Sequence, residues 1–376
     1  MTRRIGAVVV VGESVAGTSA VRELRSHGYG GSITLIGDEP EGAYSRPPLS
    51  KQVLKDPVVD DAAGPAGSAL PTDVQVVRHA ATSLDVDSRT VVTADGRRHR
   101  YDALVVATGA RARRLARADQ SGEAVLRTLE DARALRSRMA RATSAIVVGA
   151  GFLGMEVATA CVEQGISVTV VDLQPPVTRV LGEDLSALIS ARAAEHGIAF
   201  VQVGGPIHLV GDPVEAIRTP DGRVLHADLV ITCAGDTPNT EWLAGTGLAD
   251  PLGVPIAAGA ATGVAGVFAA GDVAYVRGAR ARRPYWSNAA AQGRAAAASI
   301  LGRTPGPIED NYFWTEILGV SIKACGPLPV TGPPEVLEGS ADDHHALLQW
   351  VDGLGRRTVV AYGVRKSVRL LRTLAG

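Results

Sequence analysis

The stretch "VVVVGESVAGTSA" at residues 8–20 decides the fold. Its run of valines predicts a buried parallel strand, the glycine cluster a tight turn, and the residues beyond it a helix. Gly12 and Gly17 stand at the outer positions of the glycine fingerprint of dinucleotide-binding units, and Ser14 stands at the middle position. Ser14 is small and its hydroxyl can donate to a phosphate oxygen, so the pattern still predicts a phosphate-binding turn.

A second stretch, "IVVGAGFLGMEVA" at residues 146–158, repeats the pattern. Each copy continues through a helix to a second strand that ends at an acid, Asp38 or Asp172. Helix N-termini carry unpaired N–H groups and roughly +0.5 of a charge, which bind phosphate, and the acid accepts from a ribose hydroxyl. Two such units predict an α/β protein with two Rossmann-like domains that binds two dinucleotides. The second copy has all three glycines, Gly149, Gly151 and Gly154.

The alternative for the first copy is a packed strand–helix–strand unit with a degenerate turn. Two further strand ends oppose this alternative, since ligands of open α/β sheets bind at the carboxyl ends of strands. "YDALVVATGA" (101–110) ends in Thr108 and Gly109, and "GVFAAGDVA" (266–274) ends in Gly271 and Asp272. Asp272 is placed to bond a polyol chain such as ribityl.

Length, charge and cysteine usage exclude several classes of protein. The chain has 376 residues, which favours two or three domains, and a formal net charge of −1, which argues against nucleic-acid or membrane binding. Its three cysteines, Cys161, Cys233 and Cys325, show neither a redox pair nor metal-ligand spacing. No apolar run is long enough to span a bilayer, so we expect a cytoplasmic protein.

The order of motifs resembles the bacterial FAD-dependent ferredoxin reductases that serve oxygenases and cytochromes P450. The most specific part is "RPPLSK" (46–51) combined with "LRTLED" (126–131); "PNTEWLAGTGL" (238–248), "WSNAAAQG" (286–293) and "YFWTE" (312–316) also match. The resemblance implies a discontinuous FAD domain at 1–111 and 235–305, an NAD(H) domain at 112–234, and a small α+β flavin-capping domain at 306–376.

The resemblance also implies roles for individual residues. The first unit would hold non-covalent FAD and the second NADH, with Asp38 facing the adenosine ribose, Lys51 near the flavin ring, Asp272 on the ribityl chain and Trp286 against the flavin. The full set of implied cofactor-binding residues is Gly12, Ser14, Ala16, Gly17, Asp38, Arg46, Lys51, Ala81, Thr108, Gly109, Arg127, Gly149, Gly151, Phe152, Leu153, Gly154, Glu156, Asp172, Gly271, Asp272 and Trp286.

Lys51 and Glu156 are the implied catalytic pair, because hydride transfer to a flavin needs well-placed charge rather than a general base. The alternatives are a solvated loop lysine and a helix N-terminal acid that complements the dipole. Asp172 predicts NADH over NADPH, since it would repel a 2′-phosphate. The residues that follow, "LQPPV", contain no arginine, and the nearest is Arg179.

The electron acceptor is expected to be a [2Fe–2S] ferredoxin, and the chain a monomer or homodimer. Ferredoxins are typically acidic, and the segment 275–286 offers a basic docking loop with Arg277, Arg280, Arg282 and Arg283. A solvated arginine-rich loop is the alternative. Two other activities stay open: direct action on oxygen, a quinone or a small substrate, and redox-regulated binding.

Several residues depart from the family pattern. Ser45 stands where an acid is common, Pro284 where a glutamate is usual, and "NYFWTEI" replaces "PWFWSDQ". Glu13 is the other unusual residue, because a carboxylate beside a pyrophosphate must point to solvent or pair with a cation. We predict that it points away from the phosphates.

Overall fold

The computed structural model describes residues 5–56 and 70–376, which form two compact units. The first unit contains residues 5–45, 70–111 and 237–310, and the second contains 46–56, 112–236 and 311–376. Two of the unit boundaries fall in short strands, β8 (Ala110–Ala112) and β16 (Asp236–Pro238). The finer division into three domains stays a prediction.

A parallel five-stranded sheet forms the core of the first unit. The central strands Ala7–Val11 and Ala103–Val106 are rich in valine and buried on both faces, which is why they read as continuous apolar runs. The order is β18 (Val267–Ala269), β7 (Ala103–Val106), β1 (Ala7–Val11), β2 (Ser32–Gly37) and β3 (Gln75–Arg78). Helices α1 (Val15–Ser26) and α7 (Trp286–Ile300) pack against each other closely, since a Cβ at Gly293 would lie 2.2 Å from the Ala16 carbonyl oxygen.

Smaller elements complete the first unit. An antiparallel sheet consists of β4 (Ala81–Asp85), β5 (Thr90–Thr93) and β6 (Arg98–Arg100), and β17 (Val254–Ile256) pairs in parallel with β19 (Ala274–Val276). Single 3₁₀ turns span Glu241–Leu243 and Ala258–Ala260.

The second unit repeats the parallel architecture. Its parallel sheet has the order β11 (Ala199–Gln202), β10 (Ser167–Asp172), β9 (Ser144–Val148) and β15 (Leu229–Thr232), followed by an antiparallel sheet of β12 (His208–Gly211), β13 (Val214–Arg218) and β14 (Val224–His226). Its first five helices are α2 (Gln52–Lys55), α3 (Leu129–Met139), α4 (Phe152–Glu163), α5 (Thr178–Leu181) and α6 (Glu183–Glu195).

The C-terminal part of the second unit is a five-stranded antiparallel sheet with one helix. The order is β20 (Tyr312–Ile317), β21 (Val320–Cys325), β24 (Arg357–Tyr362), β23 (His345–Val351) and β22 (Glu335–Ser340), and α8 (Val368–Ala375) follows. The predicted fold class, two Rossmann-like parallel units and a small α+β C-terminal part, is confirmed. Within the described ranges, no helix is long and apolar enough to cross a bilayer.

The two glycine turns have the same backbone geometry. Gly12 and Gly149 both adopt φ of +111°, and a Cβ there would lie 2.0 Å from the Ala107 oxygen or 2.3 Å from the Cys233 oxygen. At Gly154 a Cβ would lie 1.8 Å from the Gly149 oxygen, whereas at Gly151 it would meet nothing within 4 Å. The outer glycines are therefore required by packing, while the middle one leaves open space before the helix.

This contrast predicts opposite effects of two alanine substitutions in one turn. Gly154→Ala forces backbone atoms apart and should destabilise the second unit by about 3 kcal/mol, the upper range for overpacking. Gly151→Ala is the matched control and should leave the melting temperature of the cofactor-free protein nearly unchanged. Thermal unfolding of both variants checks this, and equal melting temperatures would contradict the packing role of Gly154.

Candidate functional site

The first glycine turn has the features of a phosphate-binding site. Ser14 is the N-cap of α1 in an extended conformation, and its side chain makes no cap hydrogen bond. The N–H groups of the first helical turn have no partner inside the helix. Ala16 lies in that turn, and Gly17 packs on the Gly12 oxygen, where a Cβ would be 1.9 Å away. These residues fit the pyrophosphate of a dinucleotide, as the sequence predicts.

Two strand-end loops of the first unit are joined by Asn239. Thr108 Oγ1 donates to the Asn239 oxygen over 2.7 Å, and Asn239 Nδ2 donates back to the Thr108 oxygen over 2.9 Å. The Asn239 N–H also donates to the Gly109 oxygen at 3.0 Å. Asn239 thus fixes the loop after β7, although the sequence indicated it only as part of a family motif.

The Gly271–Asp272 turn lies at the N-terminal end of α1. The Gly271 N–H donates to Gln292 Oε1 over 2.8 Å, and a Cβ on Gly271 would meet Ala16 Cβ at 2.9 Å. Arg282 Nη1 donates to the Asp272 carbonyl oxygen over 2.7 Å. The turn is therefore held in place from α7 and from the basic loop. Trp286, the first residue of α7, is 48% exposed.

Glu13 does not point to solvent. Its side chain is buried and pairs with Arg78, which is the other arrangement expected for a carboxylate near phosphate. Burial raises the pKa of Glu13, and the hydrogen bond and charge of Arg78 oppose that rise. Asp38 directly follows β2, which ends at Gly37, whereas β10 ends at Asp172 itself, and the place of Asp38 at the adenosine ribose stays a prediction. Asp38 is exposed.

The second glycine turn is hydrogen-bonded to the acid at the end of β10, the second strand of this unit. Asp172 is buried, and its Oδ2 accepts from the Ala150 N–H over 2.6 Å. Gly151 is the N-cap of α4, which begins at Phe152. The open space beside Gly151 and the carboxylate at the end of β10 fit the pyrophosphate and a ribose of a second dinucleotide.

Arg179, the nearest arginine after Asp172 in the sequence, lies on the same carboxylate. Its Nη2 donates to both oxygens of Asp172, at 3.0 and 3.1 Å. Val177, in a left-handed conformation, precedes α5 and turns the chain back. Arg179 is 58% exposed, so it partly offsets the charge that would repel a 2′-phosphate.

Lys51 and Glu156 form the predicted ion pair, with Nζ and Oε1 2.8 Å apart and both side chains nearly buried. Glu156 Oε1 also accepts from Thr315 Oγ1 over 2.5 Å, and Oε2 accepts from Ser50 Oγ. Glu156 is thus more than a helix N-terminal acid, and Lys51 more than a solvated loop lysine. Lys51 additionally donates to the Pro47 oxygen at 3.3 Å.

Aromatic side chains at the start of α4 and in β20 make two further contacts near this pair. Lys51 Nζ lies 4.8 Å from the centre of the Trp314 ring, which is a cation–π distance. Phe152, the first residue of α4, stacks on Phe313 with ring centroids 4.0 Å apart. The segment "NYFWTEI" departs from the family pattern "PWFWSDQ", but Thr315 supplies the hydroxyl that the family's serine carries, and this hydroxyl donates to Glu156.

Arg46 and Arg127, two of the predicted FAD-binding residues, meet each other in the second unit. Arg46 Nη1 donates to the Arg127 carbonyl oxygen over 2.8 Å. The Arg127 N–H donates to Asp131 Oδ2 over 2.9 Å, and Asp131 also forms a capping box with Thr128 at the start of α3. The helix cap thereby fixes the backbone on which both arginines depend.

The arginines of the basic loop, residues 275–286, differ in their contacts. Arg282 is bonded to the Asp272 oxygen, and Arg283 lies 3.5 Å from Glu309. Arg277 and Arg280 are exposed, as are the residues between them. Arg283 is 45% exposed in spite of that contact, so a docking role falls on Arg277, Arg280 and Arg283, while Arg282 has a structural role that the sequence did not predict.

The cysteines do not form a redox pair. All three are free thiols, and Cys161 and Cys325 are buried. Burial raises the pKa of the Cys161 and Cys233 thiols to about 12, so both stay protonated and are poor nucleophiles. This agrees with the predicted core positions.

Known proteins resemble this chain over nearly its whole length. A ferredoxin reductase component of chlorobenzene dioxygenase from Cupriavidus sp. (strain PS12) is 36% identical over 353 residues, which is 91% of this chain and 85% of that protein. A ferredoxin–NAD(+) reductase component of a biphenyl dioxygenase system from Paraburkholderia xenovorans (strain LB400) is 34% identical, covering 93% and 88%.

Solved structures of reductases also resemble this chain over nearly its whole length. The ferredoxin reductase for the CYP199A2 system from Rhodopseudomonas palustris superposes with a TM-score of 0.85 at 28% identity, covering 95% of this chain and 91% of that one. Putidaredoxin reductase, in its covalent complex with putidaredoxin, gives 0.84 at 27% identity, covering 98% and 92%. These relatives confirm the resemblance predicted from the motifs.

A family model described as pyridine nucleotide-disulphide oxidoreductase matches residues 6–293. With its two glycine turns and its paired Lys51 and Glu156, the chain belongs to the pyridine nucleotide-disulphide oxidoreductase family.

Proposed function

We propose that this chain is an NADH-dependent FAD enzyme that reduces a [2Fe–2S] ferredoxin serving an oxygenase or cytochrome P450. The observation that carries the proposal is the presence of two complete dinucleotide units together with the Lys51–Glu156 pair, in a chain whose relatives are ferredoxin reductases. FAD, when bound, takes an electron pair from NADH as hydride and releases electrons singly. A cytoplasmic location is part of the proposal.

The two glycine turns divide the cofactors between them. The first turn, with Ser14 and Gly17, holds the FAD pyrophosphate, and Asp272 binds the ribityl chain. The second turn, with Gly151 at the cap of α4, holds the pyrophosphate of NADH. Each helix directs unpaired N–H groups and a partial positive charge at its phosphates.

Lys51 is the residue that places charge beside the flavin ring. Glu156 holds the ammonium group from one side and Trp314 from another, so the cation has a fixed position. Ser50 and Thr315 each donate a hydrogen bond to one carboxylate oxygen of Glu156 and keep the carboxylate oriented. A charge fixed in this way needs no reorganisation when negative charge develops nearby.

Little supports the two other candidate activities, which are direct action on oxygen, a quinone or a small substrate, and redox-regulated binding. Direct action on oxygen or a small substrate was suggested by the altered flavin cap, yet Thr315 retains a buried hydrogen bond to Glu156. Pro284 is exposed and lies in the basic loop. No specific observation favours redox-regulated binding over electron transfer.

Steady-state assays test the proposed function. The purified protein is given NADH with oxygen alone, a quinone, or candidate [2Fe–2S] ferredoxins, and NADH consumption is followed. The proposal predicts fast turnover only with a ferredoxin. Equal turnover without one would contradict it.

Removing the fixed cation should slow reduction of the flavin. Lys51→Met should lower the rate of flavin reduction by NADH at least roughly tenfold, because a preorganised charge is lost. The matched control is Lys55→Met, whose Nζ lies 2.6 Å from Glu163 in a more exposed pair. Anaerobic stopped-flow absorbance measures both, with flavin content checked first. Equal rates in the two variants would count against Lys51.

Nucleotide preference should depend on Arg179 as well as Asp172. Arg179→Ala should raise the kcat/KM ratio of NADH to NADPH roughly tenfold, because the Asp172 charge is then unopposed. Asp172→Asn should lower that ratio. Arg223→Ala, which breaks a surface pair with Asp221 at 2.8 Å, is the control. A ratio that falls in Arg179→Ala would contradict the account.

Docking of an acidic ferredoxin should depend on the exposed arginines of the basic loop. Replacing Arg277 and Arg280 with serine should slow ferredoxin reduction several-fold at low salt and flatten its salt dependence. Reduction of the flavin by NADH should persist. Arg97→Ser, an exposed arginine 3.3 Å from Asp95, is the control. If both half-reactions fall together, the docking role is wrong.

A further inference from the structure

Thr315 and Lys51 share one oxygen of the Glu156 carboxylate. Thr315 Oγ1 donates to Glu156 Oε1 over 2.5 Å, and Lys51 Nζ lies 2.8 Å from the same oxygen. Thr315 is 1% exposed and Glu156 is 7% exposed, so the hydroxyl and the carboxylate are shielded from solvent. The threonine hydroxyl therefore acts on the atom that holds the ammonium group of Lys51.

The position of this hydroxyl is fixed by the packing of β20 on α4. Three residues on one face of α4 each contact the segment that runs from β20 into the turn after it. The side chains of a strand alternate in direction, so the strand register places the Thr315 hydroxyl on Glu156. The contacts are Phe152 with Phe313, whose ring centroids lie 4.0 Å apart, Glu156 with Thr315, and Thr159 Oγ1 with the Leu318 N–H over 3.1 Å.

A threonine at this position gives the hydrogen bond one direction. Its β-branched side chain is restricted at χ1, so the O–H does not rotate freely. A hydroxyl that donates to a carboxylate makes one of the stronger hydrogen bonds in proteins, and 2.5 Å is within the usual length of such bonds. Thr315 thereby takes up part of the charge on Oε1 and fixes the plane of the carboxylate.

Lys51 is also held by two groups other than Glu156. Its Nζ lies 4.8 Å from the centre of the Trp314 ring and donates to the Pro47 carbonyl oxygen over 3.3 Å. Without the Thr315 hydroxyl, Oε1 would attract the ammonium group more strongly, because its full charge would face the lysine. The ammonium group would then move toward Glu156, and less of its charge would act on any other neighbour.

We propose that Thr315 is a positioning residue that sets the reduction potential of the bound FAD through Glu156 and Lys51. The inference rests on the proposed function, in which Lys51 places charge beside the flavin ring. A cation fixed there stabilises the negative charge that the flavin gains on reduction. Removing the Thr315 hydroxyl is therefore expected to make reduction of the flavin less favourable.

The midpoint potential of the bound FAD, measured by anaerobic spectroelectrochemistry, tests the proposal. Thr315→Val keeps the shape of the side chain but lacks the hydroxyl. It should lower the equilibrium constant for flavin reduction roughly tenfold, the size expected for one hydrogen bond to a charged group, which is about 30 mV for a two-electron couple. Thr315→Ala, which also lacks the hydroxyl, should lower the potential too, and Thr315→Ser should restore it.

Thr159→Val is the matched control, because Thr159 is also a buried threonine on the face of α4 that contacts β20 and its turn. This change should lower the melting temperature of the flavin-free protein, since the Leu318 N–H loses its acceptor, and should leave the potential unchanged. FAD content and thermal melting are checked for every variant before its potential is measured.

Three results would overturn the inference. The first is an unchanged or raised potential in both variants that lack the Thr315 hydroxyl. The others are a shift in Thr315→Ser, or in Thr159→Val, as large as the shift in Thr315→Val, because both of these variants keep a hydroxyl on Glu156. An unsubstituted protein that binds no FAD, or whose flavin is not reduced by NADH, contradicts the proposed function instead.

Discussion

Both dinucleotide units depend on a glycine that packs directly against the backbone of a neighbouring strand. A Cβ would lie 2.0 Å from a carbonyl oxygen at Gly12 and 2.3 Å at Gly149, so only glycine permits the chain to turn there. This contact fixes the direction of the helix that follows and brings its N-terminus to the strand ends. The two proposed phosphate sites depend on that geometry.

Around this framework, three of the buried carboxylates are each paired with a cation. Two of the cations are substantially exposed, whereas the third pair is desolvated on both sides. A desolvated pair costs free energy unless further hydrogen bonds satisfy it, and here two hydroxyls do so. A desolvated ion pair of this kind indicates a functional role rather than a contribution to stability. The pairs are Glu13–Arg78, Asp172–Arg179 and Lys51–Glu156.

Short-range patterns predicted the two strand–turn–helix units and the fold class, and the resemblance to ferredoxin reductases implied the Lys51–Glu156 pair. The sequence did not predict the orientation of Glu13, because that depends on Gly37 and Arg78, which meet only in the sheet. It also did not show that β2 ends one residue before Asp38 whereas β10 ends at Asp172 itself, since strand register and not local sequence sets these ends. Tethering of Arg282 to a carbonyl oxygen also leaves no sequence signal.

The most direct test of the account is an anaerobic titration of the purified protein with NADH, followed by its visible absorbance. The account predicts one FAD per chain, bleached by one equivalent of NADH, with the colour restored when an oxidised [2Fe–2S] ferredoxin is added. A protein that carries no flavin, or a flavin that NADH does not reduce, would contradict it.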